Sequence, residues 1–106
     1  MLTVSVIIPT YNRAHLVGRA IRSALANVEP GDEILVIDDA STDNTAAVVA
    51  AFGAPVRYIA APHGGAGAAR NVGLAAARGD LVAFLDSDDE WLPGKLRLQR
   101  SFLEQR

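Results

Sequence analysis

Two short groups of acidic residues are the part of this sequence that could do chemistry. Seven of the twelve Asp and Glu side chains fall in the windows 38–43 and 86–90. Asp86 and Asp88 directly follow an apolar run from Leu81 to Leu85, and their charges repel unless a cation or protons lie between them. Mn²⁺ or Mg²⁺ would relieve that repulsion, because these ions prefer oxygen ligands and complete their shells with water and phosphates. On this motif alone, an acidic turn that caps the next helix is the more common explanation.

A second acidic pair, Asp38 and Asp39, follows the apolar run 33–37. A carboxylate at such a position can accept hydrogen bonds from a ribose or a base N–H, although helix caps and turns use the same residue types. Two independent turns seldom both put paired carboxylates at the ends of apolar segments. The joint placement therefore favours a binding site.

Residues 64–70 (GGAGAAR) contain a G-x-G pattern, but the pattern is in the wrong place for a dinucleotide fingerprint. That fingerprint follows the first strand of its fold, and a P-loop would need a Gly-Lys-Ser/Thr that is missing here. The glycines instead predict a close backbone approach, with free N–H groups that could hold an anion. Arg70 could donate bidentate hydrogen bonds to a phosphate, or it could simply lie on the helix surface. We expect Trp91 to pack in the core, and His63 to be solvated or to bond within its loop.

These residues lie between alternating strand and helix patterns. Apolar runs rich in β-branched residues predict buried strands, and apolar residues at helical spacing predict amphipathic helices. The predicted elements are strand 2–8 ended by Pro9, a helix from 13 or 14 to 25, strand 33–37, helix 45–52, strand 56–60, loop 62–67, helix 68–78 capped by Gly79, strand 81–85 and helix 93–103. This alternation predicts an α/β fold, a three-layer sandwich around a mainly parallel sheet of four strands in the order 3-2-1-4. Ligands of such sheets bind beyond the carboxyl ends of the strands, where the polar segments fall.

Length and composition predict one domain over residues 1–106 and exclude several protein classes. The net charge of −2 argues against a nucleic-acid-binding protein, which would show a basic face. The apolar runs are far shorter than the ~20 residues of a membrane helix, so we expect no membrane segment in this chain. The absence of cysteine excludes disulfides and thiolate zinc sites. It fits a cytoplasmic protein, with membrane association through a longer parent protein left open.

Four motifs together resemble the nucleotide-binding half of family 2 glycosyltransferases. They are VSVIIPTYNR (4–13), VIDDASTDNT (36–45), ARNVG (69–73) and FLDSDDEWLPGKL (84–96), in the family's order and over essentially the whole chain. His63 departs from the family pattern, which often has asparagine before the glycines. The resemblance implies a nucleotide-diphosphate-sugar donor, a divalent metal ion and the Rossmann-like half of a GT-A fold.

The resemblance also implies roles for particular residues in donor binding. Pro9, Thr10 and Tyr11 would line the base pocket. Asp39 would accept a hydrogen bond from the base, which is commonly uracil. Arg70 would lie near the base or the diphosphate.

By the same resemblance, Asp86 would hold the ribose or share the metal, and Asp88 would bind the metal that bridges the two phosphates. Sugar transfer makes the nucleoside diphosphate a leaving group, and a Lewis-acidic cation with Arg70 would neutralise the charge that develops on it. The general base of an inverting transfer lies in a later segment of the family's sequence, so we expect it beyond Arg106. The motifs here therefore predict a donor site without the catalytic base, and they do not specify the acceptor.

Three functions stay open on sequence alone. They are the donor-binding portion of a glycosyltransferase, a nucleotide-binding module without catalysis, and an α/β interaction or phosphoacceptor domain whose acidic groups are only caps. Metal-dependent nucleotide binding separates the first two from the third. The run from Leu81 to Leu85 carries no charge or proline, which predicts a homo-oligomer through this strand edge unless the last helix covers it.

Overall fold

The computed structural model describes residues 2–104. Within that range, four strands alternate with four helices in chain order. The elements are β1 (Val4–Thr10), α1 (Ala14–Leu25), β2 (Glu33–Asp38), α2 (Thr45–Ala50), β3 (Val56–Ala60), α3 (Gly65–Ala76), β4 (Leu81–Phe84) and α4 (Lys95–Glu104). All strand pairs are parallel and the order is β3-β2-β1-β4, which confirms the predicted α/β fold and its strand order.

Helices cover both faces of the sheet, which explains why β1 is apolar on nearly every residue. Val4, Val6 and Ile8 pack in a core with residues of α1, α2 and α4. Ile7 lies in a second, smaller core on the other face, which α3 covers through Ala69. Every residue of β1 is buried, as expected for the central strand of a parallel sheet.

Strand β1 continues through Pro9 to Thr10, so the prediction that Pro9 ends the strand is wrong. Leu85 N donates to Ile7 O, whereas Asp39 N donates to Thr10 O, so alternate residues of β1 bond to β4 and to β2. Pro9 belongs to the set that faces β4, and β4 has already ended at that level. Its missing N–H therefore removes no hydrogen bond from the sheet.

Two glycines let the chain around α3 approach β1 closely. A Cβ on Gly73 would lie 2.6 Å from Cγ2 of Ile7, and one on Gly79 would lie 2.7 Å from the backbone N of Ser5. The prediction that Gly79 caps α3 is wrong, because the helix ends at Ala76 and Ala77 is already extended. A side chain at position 79 would collide with the backbone of β1, and glycine avoids this collision.

Several of the other element boundaries differ from the predicted ones by a few residues. Helix α3 begins at Gly65 instead of residue 68, so the glycine segment forms its first turn rather than a loop. Helix α4 begins at Lys95, two residues after Pro93. Strand β3 and helix α1 have the predicted bounds.

Strand β4 forms one edge of the sheet and pairs only with β1 among the described residues. Val82 and Phe84 are 38% and 44% exposed. A groove of about 680 Å³ runs between β4 and α4, with mostly apolar walls and no carboxylate. None of the helices in residues 2–104 is long and apolar enough to cross a membrane.

Candidate functional site

A cleft of about 320 Å³ opens at the carboxyl edge of the sheet, where β1, β2 and β4 end. It brings together side chains from four separate segments of the chain. The lining residues are Pro9, Thr10, Tyr11, Arg13, Asp39, Ala66, Ala69, Asp86, Ser87 and Asp88. Six of the seven residues predicted for a site line this cleft. The seventh, Arg70, lies beside it, with Nη2 3.4 Å from Oδ1 of Asp86.

Asp39 is held in the cleft wall by the first turn of α3. Its Oδ1 accepts the N–H of Gly64 at 2.8 Å, and its Oδ2 accepts the N–H of Gly65 at 3.1 Å. Nδ1 of His63 lies 3.0 Å from Oδ2. The Gly64 N–H, with smaller contributions from Gly65 and His63, lowers the pKa of Asp39 below its ordinary value. The glycine segment was predicted to offer backbone N–H groups to an anion. In the structure, the N–H groups of Gly64 and Gly65 bind the carboxylate of Asp39.

Asp39 keeps some capacity to accept a further hydrogen bond. A carboxylate offers about four acceptor sites. The two glycine N–H groups use two of them, and Nδ1 of His63 lies 3.0 Å from Oδ2 and 3.3 Å from the backbone O of Asp39. The carboxylate therefore keeps capacity to accept a ligand N–H.

Tyr11 and His63 form an aromatic pair beside Asp39. Their ring centroids are 4.9 Å apart and the planes are tilted by 42°. Tyr11 is 45% exposed, so a planar group can still lie against its ring. The side chain of His63 is 63% exposed, in agreement with the predicted solvated position, but its contacts are to Asp39 and Tyr11 and not within its own loop.

The two neighbouring acids after β2 have different environments. Asp38 points away from the cleft lining: its Oδ2 accepts the hydroxyl of Tyr58 at 2.6 Å, and its Oδ1 accepts the N–H of Ser41 at 3.0 Å. Burial, together with the hydrogen bond to Asp38, raises the pKa of Tyr58 to about 12. Asp38 thus stabilises the sheet and the following turn, and Asp39 is the acid available to a ligand.

Asn12 ties the loop after β1 to the loop after β2. Its Oδ1 accepts the N–H of Thr42 at 2.7 Å, and its own N–H donates to Oγ of Ser41 at 2.8 Å. Asn12 has a positive φ of 50°, a conformation that asparagine tolerates better than most residues. Oδ2 of Asp43 accepts the N–H of Ala14 at 3.1 Å and so caps α1 from the neighbouring loop. These bonds fix the segment that carries Tyr11.

Asp86 and Asp88 lie in the turn after β4 and are both exposed to solvent. Asp86 is 61% exposed at its side chain, so its contact with Arg70 is a weak, exchangeable surface ion pair. Within residues 2–104, no three His, Asp or Glu side chains lie close enough to hold a metal by themselves. The available donor set is two carboxylates, which fits Mn²⁺ or Mg²⁺ with water and phosphate oxygens in the remaining positions.

Arg13 is a cleft residue that the sequence analysis missed. It lies three residues after the end of β1, at the start of α1, lines the cleft and is exposed. Its guanidinium has no hydrogen-bond or ion-pair partner among residues 2–104. A cation two residues beyond Tyr11, shortly after a buried strand, is the signal that could have identified it.

The environment of Asp39 makes this carboxylate a poor candidate for a general base. Three carboxylates line the cleft, those of Asp39, Asp86 and Asp88. The lowered pKa of Asp39 makes it a weak proton acceptor, because the Gly64 and Gly65 N–H groups stabilise the charged form. The family resemblance implies a base beyond Arg106, outside the residues that the structure describes. The position of the base therefore stays a prediction.

Comparison with known proteins gives the same family for most of the chain. The family model of Glycosyl transferase family 2 matches residues 5–106. Over 102 residues the chain is 40% identical to UDP-Glc:alpha-D-GlcNAc-diphosphoundecaprenol beta-1,3-glucosyltransferase WfgD of Escherichia coli, a match that covers 94% of this chain and 40% of that protein.

Two solved structures extend the comparison to the fold. S. aureus TarS (residues 1–349) in complex with UDP-GlcNAc superposes with a TM-score of 0.90 at 32% identity, over 98% of this chain and 32% of that one. The mannosyltransferase PcManGT of Pyrobaculum calidifontis, in complex with GDP-Man and Mn²⁺, gives a TM-score of 0.74 at 31% identity, over 83% and 28%. The chain spans well under two thirds of the length of each of these three proteins.

Proposed function

We propose, since the chain belongs to glycosyl transferase family 2, that it binds the nucleotide-diphosphate-sugar donor of a glycosyltransferase, with UDP as the nucleotide. The observation that carries the proposal is the cleft, in which aromatic, acidic and cationic side chains converge. Its position at the carboxyl edge of a parallel sheet is where open α/β folds bind ligands. The UDP-GlcNAc bound to TarS and the UDP-Glc in the name of the E. coli relative support a UDP-linked donor.

We assign Asp39 as the acceptor of a hydrogen bond from an N–H of the base. Its carboxylate keeps free acceptor capacity beside its bonds to Gly64 and Gly65. We assign Pro9, Thr10 and Tyr11 to the walls of the same base pocket.

The diphosphate would lie between the acidic turn after β4 and two arginines. We assign Asp88, with Asp86, as ligands of Mn²⁺ or Mg²⁺, and the Mn²⁺ in the PcManGT complex supports a divalent ion. When bound, the ion would supply Lewis-acid stabilisation of the leaving diphosphate. Arg70 would exchange its exposed contact with Asp86 for a phosphate oxygen, and Arg13 would offer a second guanidinium.

The proposed reaction is an inverting sugar transfer. The acceptor oxygen forms a bond to the anomeric carbon while the bond from that carbon to the phosphate oxygen breaks, and the nucleoside diphosphate leaves with the electron pair. A general base must take the acceptor proton. Each carboxylate in the cleft already has a role in donor binding, so we infer that the base and the acceptor site lie beyond Arg106.

The lack of cysteine supports a cytoplasmic location.

Calorimetric titration with UDP, UMP and GDP in the presence of Mn²⁺ tests this proposal. We expect UDP to bind more tightly than UMP, because the second phosphate adds charge-assisted contacts, and more tightly than GDP, as the UDP-linked relatives indicate. Asp39→Asn should weaken UDP binding, because an amide has one acceptor oxygen in place of two. Asp80→Asn makes the same charge change at the opposite end of the sheet, beside Thr3, and should leave UDP binding unchanged. The absence of saturable UDP binding would overturn the proposal.

A further inference from the structure

Polar side chains on one face of α1 hold the backbone of the segment that contains Asp88. Arg19, Ser23 and Asn27 recur every four residues, so they line up along the helix axis, with Asn27 just past the helix end. We call these three residues the α1 row. All three bond to the chain between β4 and α4.

The first two members of the row bond close to the acidic turn. Nη2 of Arg19 donates to the backbone O of Asp88 at 2.7 Å. Oγ of Ser23 accepts the N–H of Trp91 at 3.0 Å and donates to the O of Ala20 at 2.8 Å. The indole of Trp91 is itself buried in the core next to α1. The chain is thus held at Asp88 and again three residues later, at Trp91.

Asn27 bonds to the end of the same segment. Its Nδ2 donates to the O of Leu92 at 3.2 Å, and its Oδ1 accepts the N–H of Leu96 at 3.0 Å in a buried position. Residues 85–94 lie outside every helix and strand, so their backbone groups depend on such partners. Side chains of α1 therefore set where this segment lies.

We propose that Arg19 is a positioning residue for the metal and diphosphate site. It acts through the backbone oxygen of Asp88, and Ser23 and Asn27 fix the chain that follows. The inference rests on the proposed function, because it gives Asp88 the role of a metal ligand. Arg19 does not line the cleft, and it would orient Asp88, which does.

The positive charge of Arg19 and its hydrogen bond to Asp88 O have opposite expected effects on metal binding, which makes the proposal testable. A guanidinium near a divalent cation repels it, so removing the charge alone would tighten metal-dependent binding. Loss of the hydrogen bond to Asp88 O would loosen it instead. The direction of the change therefore distinguishes positioning from electrostatics.

The experiment is calorimetry of UDP binding with saturating Mn²⁺ and again with EDTA. The variants are Arg19→Met, Arg19→Lys, Ser23→Ala and, as the matched control, Arg22→Met, whose guanidinium lies against Gly18 of the same helix. We expect Arg19→Met to weaken UDP binding with Mn²⁺ roughly two- to tenfold, the effect of one lost hydrogen bond, and to leave binding in EDTA unchanged. Arg19→Lys should recover most of the loss, because lysine can donate to the same oxygen.

A double mutant shows whether Arg19 acts through Asp88. In an Asp88→Asn background, Arg19→Met should cause no further loss. The proposal is overturned if Arg19→Met binds as the parent does, binds more tightly, weakens binding equally in EDTA, or adds its full loss to Asp88→Asn. If Arg19→Met does not fold, Ser23→Ala takes its place, because alanine favours the helix. An absence of saturable UDP binding in the parent chain would refute the proposed function itself, whereas UDP binding that does not depend on Mn²⁺ would refute the metal assignment and this inference with it.

Discussion

Replacing Arg100 with methionine is expected to destabilise the fold strongly, because it breaks an almost fully buried ion pair. Arg100 of α4 pairs with Asp32 in the turn before β2, and their side chains are 4% and 0% exposed. Oδ1 of Asp32 also accepts the N–H of Val4 at 2.8 Å, and Oδ2 accepts that of Glu29 at 2.8 Å. Without Arg100 the carboxylate would stay buried with only these two donors.

The expected loss follows from the groups left without partners. Removing one member of a buried pair costs ~3–5 kcal/mol. Leu2 O, which accepts from Nη1 of Arg100 at 2.9 Å, also loses its donor. Nε of Arg100 has no hydrogen-bond partner among residues 2–104, and its removal at the same time offsets part of that cost. We expect a loss of about 3 kcal/mol, which is large against the ~5–15 kcal/mol of a typical domain and corresponds to a fall in Tm of more than about 10 °C.

Urea unfolding followed by circular dichroism measures this loss. Arg97→Met is the matched control, because Arg97 is exposed on the same helix and should change the free energy of unfolding by less than ~0.5 kcal/mol. Combining Arg100→Met with Asp32→Asn should recover part of the loss, since no buried charge remains. A loss below ~1 kcal/mol for Arg100→Met would refute the view that this pair anchors α4 to the sheet.

Three further outcomes are expected. The Gly64 and Gly65 N–H groups lower the pKa of Asp39 from 3.8, so its stabilisation is present above about pH 4 and is lost as the pH falls through the lowered value. Asp39→Asn should therefore flatten the decline of Tm in acid, and an identical decline would contradict this. The 106-residue chain should transfer no sugar to an added acceptor, and turnover at ~1 s⁻¹ would show that it contains the general base. We also propose self-association through β4, which light scattering tests. Val82→Lys with Phe84→Lys should give a monomer, whereas a monomeric parent at high concentration would exclude the interface.

The arrangement of elements is predictable because local patterns report it directly. β1 and β2 are apolar on consecutive residues since helices cover both faces, and α1 carries its apolar residues at helical spacing. The end of β1 was not predictable in this way. Whether Pro9 breaks a strand depends on which neighbour its missing N–H would face, and that is a property of the pairing.

The sequence predicted which residues form the candidate site, but it did not predict most of the hydrogen bonds between them. Its residues could be found because polar side chains follow each strand at the same sheet edge. The glycine N–H groups, however, bind Asp39, which lies 25 residues away from Gly64, and no local pattern indicates this. The same holds for Arg19, whose contact with Asp88 spans 69 residues. Such contacts depend on how α1 and the segment 85–94 pack in three dimensions.

Calorimetry of UDP binding with and without Mn²⁺ tests the central claim most directly. The parent chain should bind UDP at least about tenfold more tightly with Mn²⁺, as expected for charge-assisted contacts of ~1.5–3 kcal/mol. Asp88→Asn should remove that dependence. Asp89→Asn, the matched control, changes an exposed neighbour that does not line the cleft and should retain it. Equal UDP affinity with and without Mn²⁺ in the parent chain would contradict a metal-dependent donor site at this cleft.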